Sequence, residues 1–277
     1  APRGFLSISE DEYVPGLKKL TDAIHAEGGK AGIQLWQGSM AVGMDQTAQI
    51  LMASDMPMGP GITLPGITVE QIKEVVACYG KAAKRAAEAG FDCIEFHCAH
   101  NYLPHSFLSG GINHRTDEYG GSFENRTRLL RNGIQAAKAY ETDQFLVTAR
   151  IGIYDGFAYP YGFGVKEGEG IIPNLEEPIR PIRELHEDYQ MPMVNLTMGN
   201  PYVSIHVTRP YDMGKYIPDE HPLYGIARMI HGIGEVKKAV PQMAISASAP
   251  TYLRQYSDLY AAGAIEEGLC DQVGGAK

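Results

Sequence analysis

FDCIEFHCAHNYL, Phe91 to Leu103, is the stretch on which the reading of this chain turns. Its first half is an apolar run following Gly90, and a run of this kind reads as a short strand buried on both faces. Its second half places His97 and His100 three residues apart, with Tyr102 two further on, where that strand should be ending.

The same pattern recurs on either side. KAGIQLW (30–36), FLVTARIGI (145–153), PMVNLTM (192–198), MAISAS (243–248) and CDQV (270–273) bring the number of expected strands to six. Helical patterns lie between them. Thr68 and Gln71 have capping-box spacing and open a helix to about Ala89. Ser122 is placed to cap FENRTRLLRNGIQAAKAY, Asn174 to cap a helix ending near Tyr189, and 226–239 reads as another helix. Two short helical pieces follow the fifth strand, and the Pro/Gly-rich segment 57–66 reads as a loop. Continuous apolar strands alternating with helices mean a parallel α/β sheet, either a TIM barrel or a doubly wound sheet. Polar residues collect at the C-terminal ends of the strands: Gln34 with Trp36, His97, Arg150, Asn195, and Ser246 with Ser248. That is where a barrel builds its active-site rim. Periodicity alone does not separate the two folds, and a barrel, which needs eight strands, would have its first two before Ala1. Two long connections, 154–173 and 198–225, leave strand C-termini. The first carries Tyr154, Phe157, Tyr159, Tyr161 and Phe163, and the second Tyr202, His206, Arg209, Tyr211 and Tyr216. Loops of this length are usually functional, and their aromatic content predicts lids over an apolar ligand, with a packed surface excursion as the alternative.

Composition narrows the class. The 277 residues are 44% hydrophobic and carry a formal net charge of -9, with no Lys/Arg cluster, so a nucleic-acid surface is not expected. No apolar run approaches the roughly 20 residues of a membrane span. APRGFLSISEDEY has neither the basic nor the apolar segment of a secretory signal. Cys78, Cys93, Cys98 and Cys270 form no Cys-x-x-Cys pair, which fits a reduced, cytoplasmic protein.

Three readings of His97, His100 and Tyr102 stay open on the residues alone. They can fill a core. They can bind a metal, although zinc needs three or four ligands and no second Cys/His pair supplies them. Or two imidazole N–H groups can converge on one carbonyl oxygen and stabilise its developing charge, while a phenol donates a proton to the carbon beside it. The last is a site for reducing an activated C=C bond.

The longer segment HCAHNYLPHSFLSGGINHRTDEYGGSFENRTR resembles the signature of the Old Yellow Enzyme family of FMN-dependent ene-reductases. The pattern His-x-x-His-x-Tyr-Leu is followed by Phe-Leu-Ser, and Arg115, Asp117, Tyr119, Gly120, Gly121, Asn125 and Arg126 fall in place. GLKKLTDAIHAEGGKAGIQLW and VTARIGI resemble the family's helix with its third strand and its fifth strand. The likeness runs from about Phe5 to Val273, weakens after Asp155, and is nearest to the bacterial branch that includes 2,4-dienoyl-CoA reductase. It implies one TIM (β/α)8 barrel domain over residues 1–277, incomplete at both ends and without its first two strands, with FMN at the C-terminal rim and NAD(P)H as reductant. Gln34 matches the glutamine on the flavin pyrimidine edge, and Arg150 the arginine near N1 and O2. His97 and His100 match the carbonyl clamp, and Tyr102 the proton donor. Ala247, Ser248, Gly274 and Gly275 are the expected backbone donors to the phosphate, and Tyr154 and Tyr159 the expected substrate contacts beside the two histidines. The block from Arg115 to Arg126 reads as structural, a tight loop leading into a capped helix.

The chain departs from the family pattern at three places. The family's first two strands would precede Ala1, Gln37 stands where the family often has His, and at the phosphate end SASAPT follows the seventh barrel strand while VGGAK lacks the Gly-Arg pair of the eighth. The iron–sulfur motif and the FAD domain of the dienoyl-CoA reductase branch would enter only with a chain extending beyond Lys277. The resemblance implies NAD(P)H-driven reduction of an α,β-unsaturated carbonyl compound of steroid, phenylpropenoid or enoyl thioester type. It expects no metal, no nucleic acid and no membrane, and it allows a homo-oligomer. Two other readings remain: a flavin-dependent dehydrogenase of the amine-dehydrogenase type, and a non-catalytic barrel fragment without flavin.

Overall fold

The computed structural model describes residues 6–37, 51–201, 203–208, 217–248 and 250–275. They fall into two compact units, residues 1–149 and 150–277.

The first unit opens with α1 (Val14–Ala26) and β1 (Gly32–Leu35). After it come β2 (Met56–Gly59), β3 (Ile62–Leu64), α2 (Val69–Glu88), β4 (Cys93–Cys98) and the one-turn α3 (Leu103–Ser106). Then follow α4 (Phe123–Arg126), α5 (Arg128–Lys138) and the first half of β5 (Leu146–Tyr154). β1 and β4 pair in parallel, with Gly32 opposite Cys93 and Gln34 opposite Glu95. The start of β5 joins β4 through Leu146 N–H on Asp92 O at 2.9 Å and Thr148 Oγ on Ile94 O at 2.8 Å. The expected capping box is present: Thr68 Oγ accepts from Gln71 N–H at 3.1 Å, and Gln71 Oε1 from Thr68 N–H at 2.9 Å. Two expectations are corrected. Segment 57–66 is not a plain loop but an antiparallel hairpin, turning at Pro60-Gly61 with Gly61 at φ +74°. Proline presets one turn dihedral and glycine takes the positive φ, so the turn chemistry was in the sequence. The helix after Ser122 breaks at Thr127, whose Oγ donates back to Phe123 O at 2.9 Å.

The block read as structural ties this unit together. Arg115 donates to Asp117 at 3.0 and 3.1 Å through Nε, and reaches the carbonyls of Ala53 and Ile67. Asn113 Nδ2 bridges Phe107 O and Tyr119 O at 2.9 and 2.8 Å. Arg126 reaches Leu108 O, and Asn125 Nδ2 reaches Gly120 O at 2.9 Å. Side chains that capture loop carbonyls in this way replace the ladder bonds a loop lacks. A methyl group on Gly120 would collide with the Arg115 carbonyl, so glycine is required there by space. Beneath lies a core of Leu51, Ile67, Ile72, Leu103, Phe107 and Leu129.

The second unit begins with the rest of β5 and continues through α6 (Glu176–Glu187), β6 (Met193–Met198), the short α7 (Ile205–Thr208), α8 (Pro222–Ala239), β7 (Ala244–Ala247), α9 (Ser257–Glu266) and β8 (Gln272–Val273). β6, β7 and β8 pair in parallel, which aligns Asn195, Ser246 and Gln272 across three strands. Asn174 does not cap α6 as expected. The N-cap is Leu175, and Asn174 Oδ1 accepts from Glu176 N–H at 3.3 Å, one residue out of phase. The first long connection is folded back on its strand. Asp155 N–H donates to Phe163 O at 3.0 Å, Phe163 N–H donates to Asp155 Oδ2 at 2.9 Å, and Gly199 N–H donates to Tyr154 O at 2.6 Å. Tyr154 is buried, gives its hydroxyl to Ile171 O at 2.6 Å, and carries the Arg228 guanidinium 5.9 Å above its ring. Arg228 in turn makes a two-pronged pair with Glu220 at 2.7 and 2.8 Å. Burial works against the Arg228 charge, but Glu220 outweighs it and raises the guanidinium pKa further. Tyr202, Arg209, Tyr211 and Tyr216 of the second connection lie outside the described residues. Among the described residues no helix is long and apolar enough to cross a membrane.

Two outcomes are expected. Asp92 accepts from Ala31 N–H and Lys30 Nζ, both at 2.8 Å, and lies 2.7 Å from His25 Nε2. Burial opposes its charge, but these partners hold its carboxyl well below the ordinary range. A depressed folded pKa stabilises the fold above the unfolded value of about 3.9 and is lost as pH falls through the folded one. Asp92→Asn should thus lower stability at pH 7 by about 1–2 kcal/mol and flatten the loss of urea midpoint seen below about pH 4. Tyr154→Phe, which removes one buried hydrogen bond and keeps the ring, should cost about 1 kcal/mol in the same urea titration.

Candidate functional site

β4 carries its chemistry at and beyond its last residues. Ile94 and Phe96 are buried in the core, His97 and Cys98 end the strand, and Ala99 leads into a sharp turn. His100 and Asn101 both take left-handed backbone, φ +60° and +56°. Two consecutive non-glycine residues in this region cost about 1–3 kcal/mol each, and such strain is held only where surrounding contacts enforce it. Tyr102 then returns to extended backbone ahead of α3, whose Pro104 suits a helix start.

The turn brings three side chains together. The ring centroids of His97 and His100 lie 5.2 Å apart at 78°, those of His97 and Tyr102 4.9 Å apart, and those of His100 and Tyr102 6.3 Å apart at 76°. All three residues are buried, between 4% and 8% exposed. Trp36, just past β1, packs edge-on against Tyr102 at 5.3 Å. The arrangement offers imidazole nitrogens and a phenol to one small volume lined by aromatic rings. Among the described residues no group of three or more His, Cys, Asp and Glu side chains is placed to hold a metal.

The other expected residues divide between the units. Gln34 is exposed on β1 and donates through Nε2 to Glu95 Oε1, its register partner, at 2.6 Å. A side-chain amide so oriented has an acceptor oxygen and a second N–H, the pairing that a flavin pyrimidine edge needs. In the second unit Arg150 is half-buried on β5, with Nη2 3.5 Å from Thr197 Oγ. Of the expected backbone phosphate donors, one is already engaged. Gly274 N–H donates to Ala247 O at 2.8 Å, and Ser248 Oγ to Leu196 O at 2.9 Å. Gly275 has open space around its α-carbon. Gln34 and, in the second unit, Arg150 are each of the type that the ring end of FMN needs, whereas at the phosphate end one expected backbone donor, Gly274 N–H, is engaged with the sheet itself. Tyr159 is 52% exposed, while the Tyr154 hydroxyl is turned into its own loop.

The residues missed in the sequence are Asn101 and His105. The fully buried His105 on α3 lies with Nδ1 3.0 Å from Asn101 N and 3.1 Å from Asn101 Oδ1. For Asn101 a signal was present, since Asn is among the non-glycine residues most tolerant of positive φ.

Residues 3–165, more than half of the chain, match the model of the NADH:flavin oxidoreductase / NADH oxidase family. The NADPH dehydrogenase of Bacillus velezensis is 46% identical over 134 residues, which are 48% of this chain and 39% of that protein. The chain thus spans about two fifths of the length of the relatives it matches. Among solved structures, the old yellow enzyme homologue from Zymomonas mobilis aligns with a TM-score of 0.66 at 21% identity, covering 97% of this chain and 69% of that one. The 6-hydroxypseudooxynicotine amine oxidase of Pseudomonas geniculata aligns with a TM-score of 0.74 at 24% identity, covering 97% and 36%. At these identities the structural likeness speaks for the fold, which is the α/β TIM barrel that the family resemblance implied. The sequence match carries more: this chain belongs to the NADH:flavin oxidoreductase / NADH oxidase family, which implies FMN as cofactor and NAD(P)H as reductant.

Proposed function

We propose that this chain carries the clamp of an FMN-dependent ene-reductase, which uses NAD(P)H to reduce the C=C bond of an α,β-unsaturated carbonyl compound. The observation that supports this reading is the buried trio of His97, His100 and Tyr102 on one left-handed turn. His97 and His100 bind the substrate carbonyl oxygen through ring N–H groups. They stabilise the negative charge that gathers there, and a buried, low-dielectric setting strengthens each bond. Tyr102 gives its proton to the α-carbon. Trp36 holds the phenol ring from the side and keeps water from it. FMN, when bound and reduced, supplies the hydride. Gln34 is proposed for its pyrimidine edge, Arg150 for the charge of its reduced ring, and the backbone from Ala247 and Ser248 to Gly274 and Gly275 for its phosphate.

Tyr159 and the 59% exposed Tyr161 favour a bulky apolar substrate, of the steroid, phenylpropenoid or enoyl thioester kind. Exposed aromatic rings on a strand-terminal loop gain most by closing over apolar surface. The amine-dehydrogenase reading shares the fold but gives no use to two imidazoles beside a phenol.

The test is anaerobic. NADPH should bleach the flavin spectrum of the full-length protein, and cyclohexenone should restore it. His100→Ala should raise the enone KM by about tenfold or more and leave flavin reduction by NADPH unchanged, as expected for loss of a charge-stabilising donor. Tyr102→Phe should slow reoxidation by enone by about 10²–10⁴, the range of a general acid. A full-length preparation that binds no flavin would sink the proposal. Amine oxidation that survives His100→Ala would favour the dehydrogenase instead.

A further inference from the structure

We propose that His105 is a positioning residue, which sets the geometry of His100 and Tyr102 by accepting the backbone N–H of Asn101. The inference deepens the reading above and rests on it for its catalytic meaning.

Asn101 stands between the two side chains that form the clamp, so its backbone angles decide how they leave the chain. It is buried, at 8% exposure, and sits at φ +56°. A buried amide N–H needs a partner. In an ordinary turn that partner is a carbonyl, but here it is a ring nitrogen, His105 Nδ1, at 3.0 Å. An amide N–H can only donate, so Nδ1 accepts and carries no proton, and the neutral ring holds its proton on Nε2. The contact between Nδ1 and Asn101 Oδ1 at 3.1 Å is subordinate, because one nitrogen does not accept and donate together.

The support under His105 is rigid. It lies on α3, whose Ser106 Oγ donates to Leu103 O at 2.8 Å and accepts from Ala53 N–H at 3.3 Å. Leu103 and Phe107, on either side, are buried in the core of the first unit. One imidazole therefore links the anchored helix to the strained turn. Without it the left-handed pair loses the bond that holds Asn101 in place, and the angle of 76° between the rings of His100 and Tyr102 is no longer imposed.

The chemistry suggests a discriminating pair of variants. The acceptor oxygen of Asn lies two bonds from Cβ, as Nδ1 does, whereas that of Gln lies three bonds away, as Nε2 does. In the full-length flavoprotein His105→Asn should keep the enone KM within about threefold. His105→Gln and His105→Leu should raise it by about tenfold or more at unchanged flavin reduction by NADPH, in line with small misplacements costing up to 10²-fold. Hydrogen exchange at the Asn101 amide should stay slow in His105→Asn and speed up by about 100-fold in the other two, as loss of a buried bond requires. Equal behaviour of the Asn and Gln variants, or an Asn101 amide still protected in His105→Leu, overturns the proposal. If His105→Leu does not fold, the Asn and Gln pair decides. If the wild type reduces no enone, the ene-reductase reading fails, and exchange at Asn101 alone decides whether His105 positions the turn.

Discussion

A strand buried on both faces can offer polar chemistry only where its ladder stops. β4 meets that constraint within a few residues. Ile94 and Phe96 are committed to the core, and the histidines and tyrosine of the candidate site come from His97 onward. The backbone must then leave the strand without stranding a buried N–H, and two left-handed residues in succession are the result. Such a turn has little stability of its own. It depends on what lies around it: α3 packed into the core of the first unit, the imidazole under Asn101, and Trp36 against Tyr102. The Arg115 knot belongs to the same support. By binding the carbonyls of Ala53 and Ile67 it holds chain from both sides of the β2–β3 hairpin to the loop after α3. Removing a methylene's width of freedom from a loop is what lets side chains act on a reacting atom, since orientation is worth more to catalysis than any single contact.

Much of this was legible in the residues. All six expected strands form, because an apolar run of strand length between glycines has few other ways to bury itself. The capping box at Thr68 was readable because both its bonds are local. The misses share a different origin. The hairpin at 56–64 pairs residues across a turn, and its two strands are too short for alternation to register. The break at Thr127 and the displaced cap at Asn174 are choices of one residue between competing local bonds, which propensity does not resolve. Asn101 and His105 stood inside the best recognised segment of the chain. Neither stands out there because their contact exists only when the turn is closed, and a pattern of the form His-x-x-His-x-Tyr does not show which side chain receives the Asn101 amide.

The aromatic loops show the same division between composition and placement. Phe163 and Tyr154 look alike in the sequence to Tyr159 and Tyr161, yet the first two are buried and the last two exposed. The difference follows from hydrogen bonding. Asp155 and Phe163 are joined by two bonds that close the connection on itself, and the Tyr154 hydroxyl is taken by Ile171 O. Arg228, paired with Glu220, then covers the Tyr154 ring. What reads as a single lid is thus a fixed base with an exposed aromatic crest, and only the crest has surface left to give to a ligand.

A similar argument applies at the far end of the second unit. Backbone donors hold a phosphate well only when they are not already satisfied by the fold, because each bond to the anion must otherwise replace one in the sheet. Gly274 N–H is committed to Ala247 O. The departure of VGGAK from the family pattern is therefore more than a change of letters. In this chain the sheet has taken up one of the backbone donors proposed for the cofactor's anionic end, so under that proposal affinity for the phosphate rests on the remaining N–H groups.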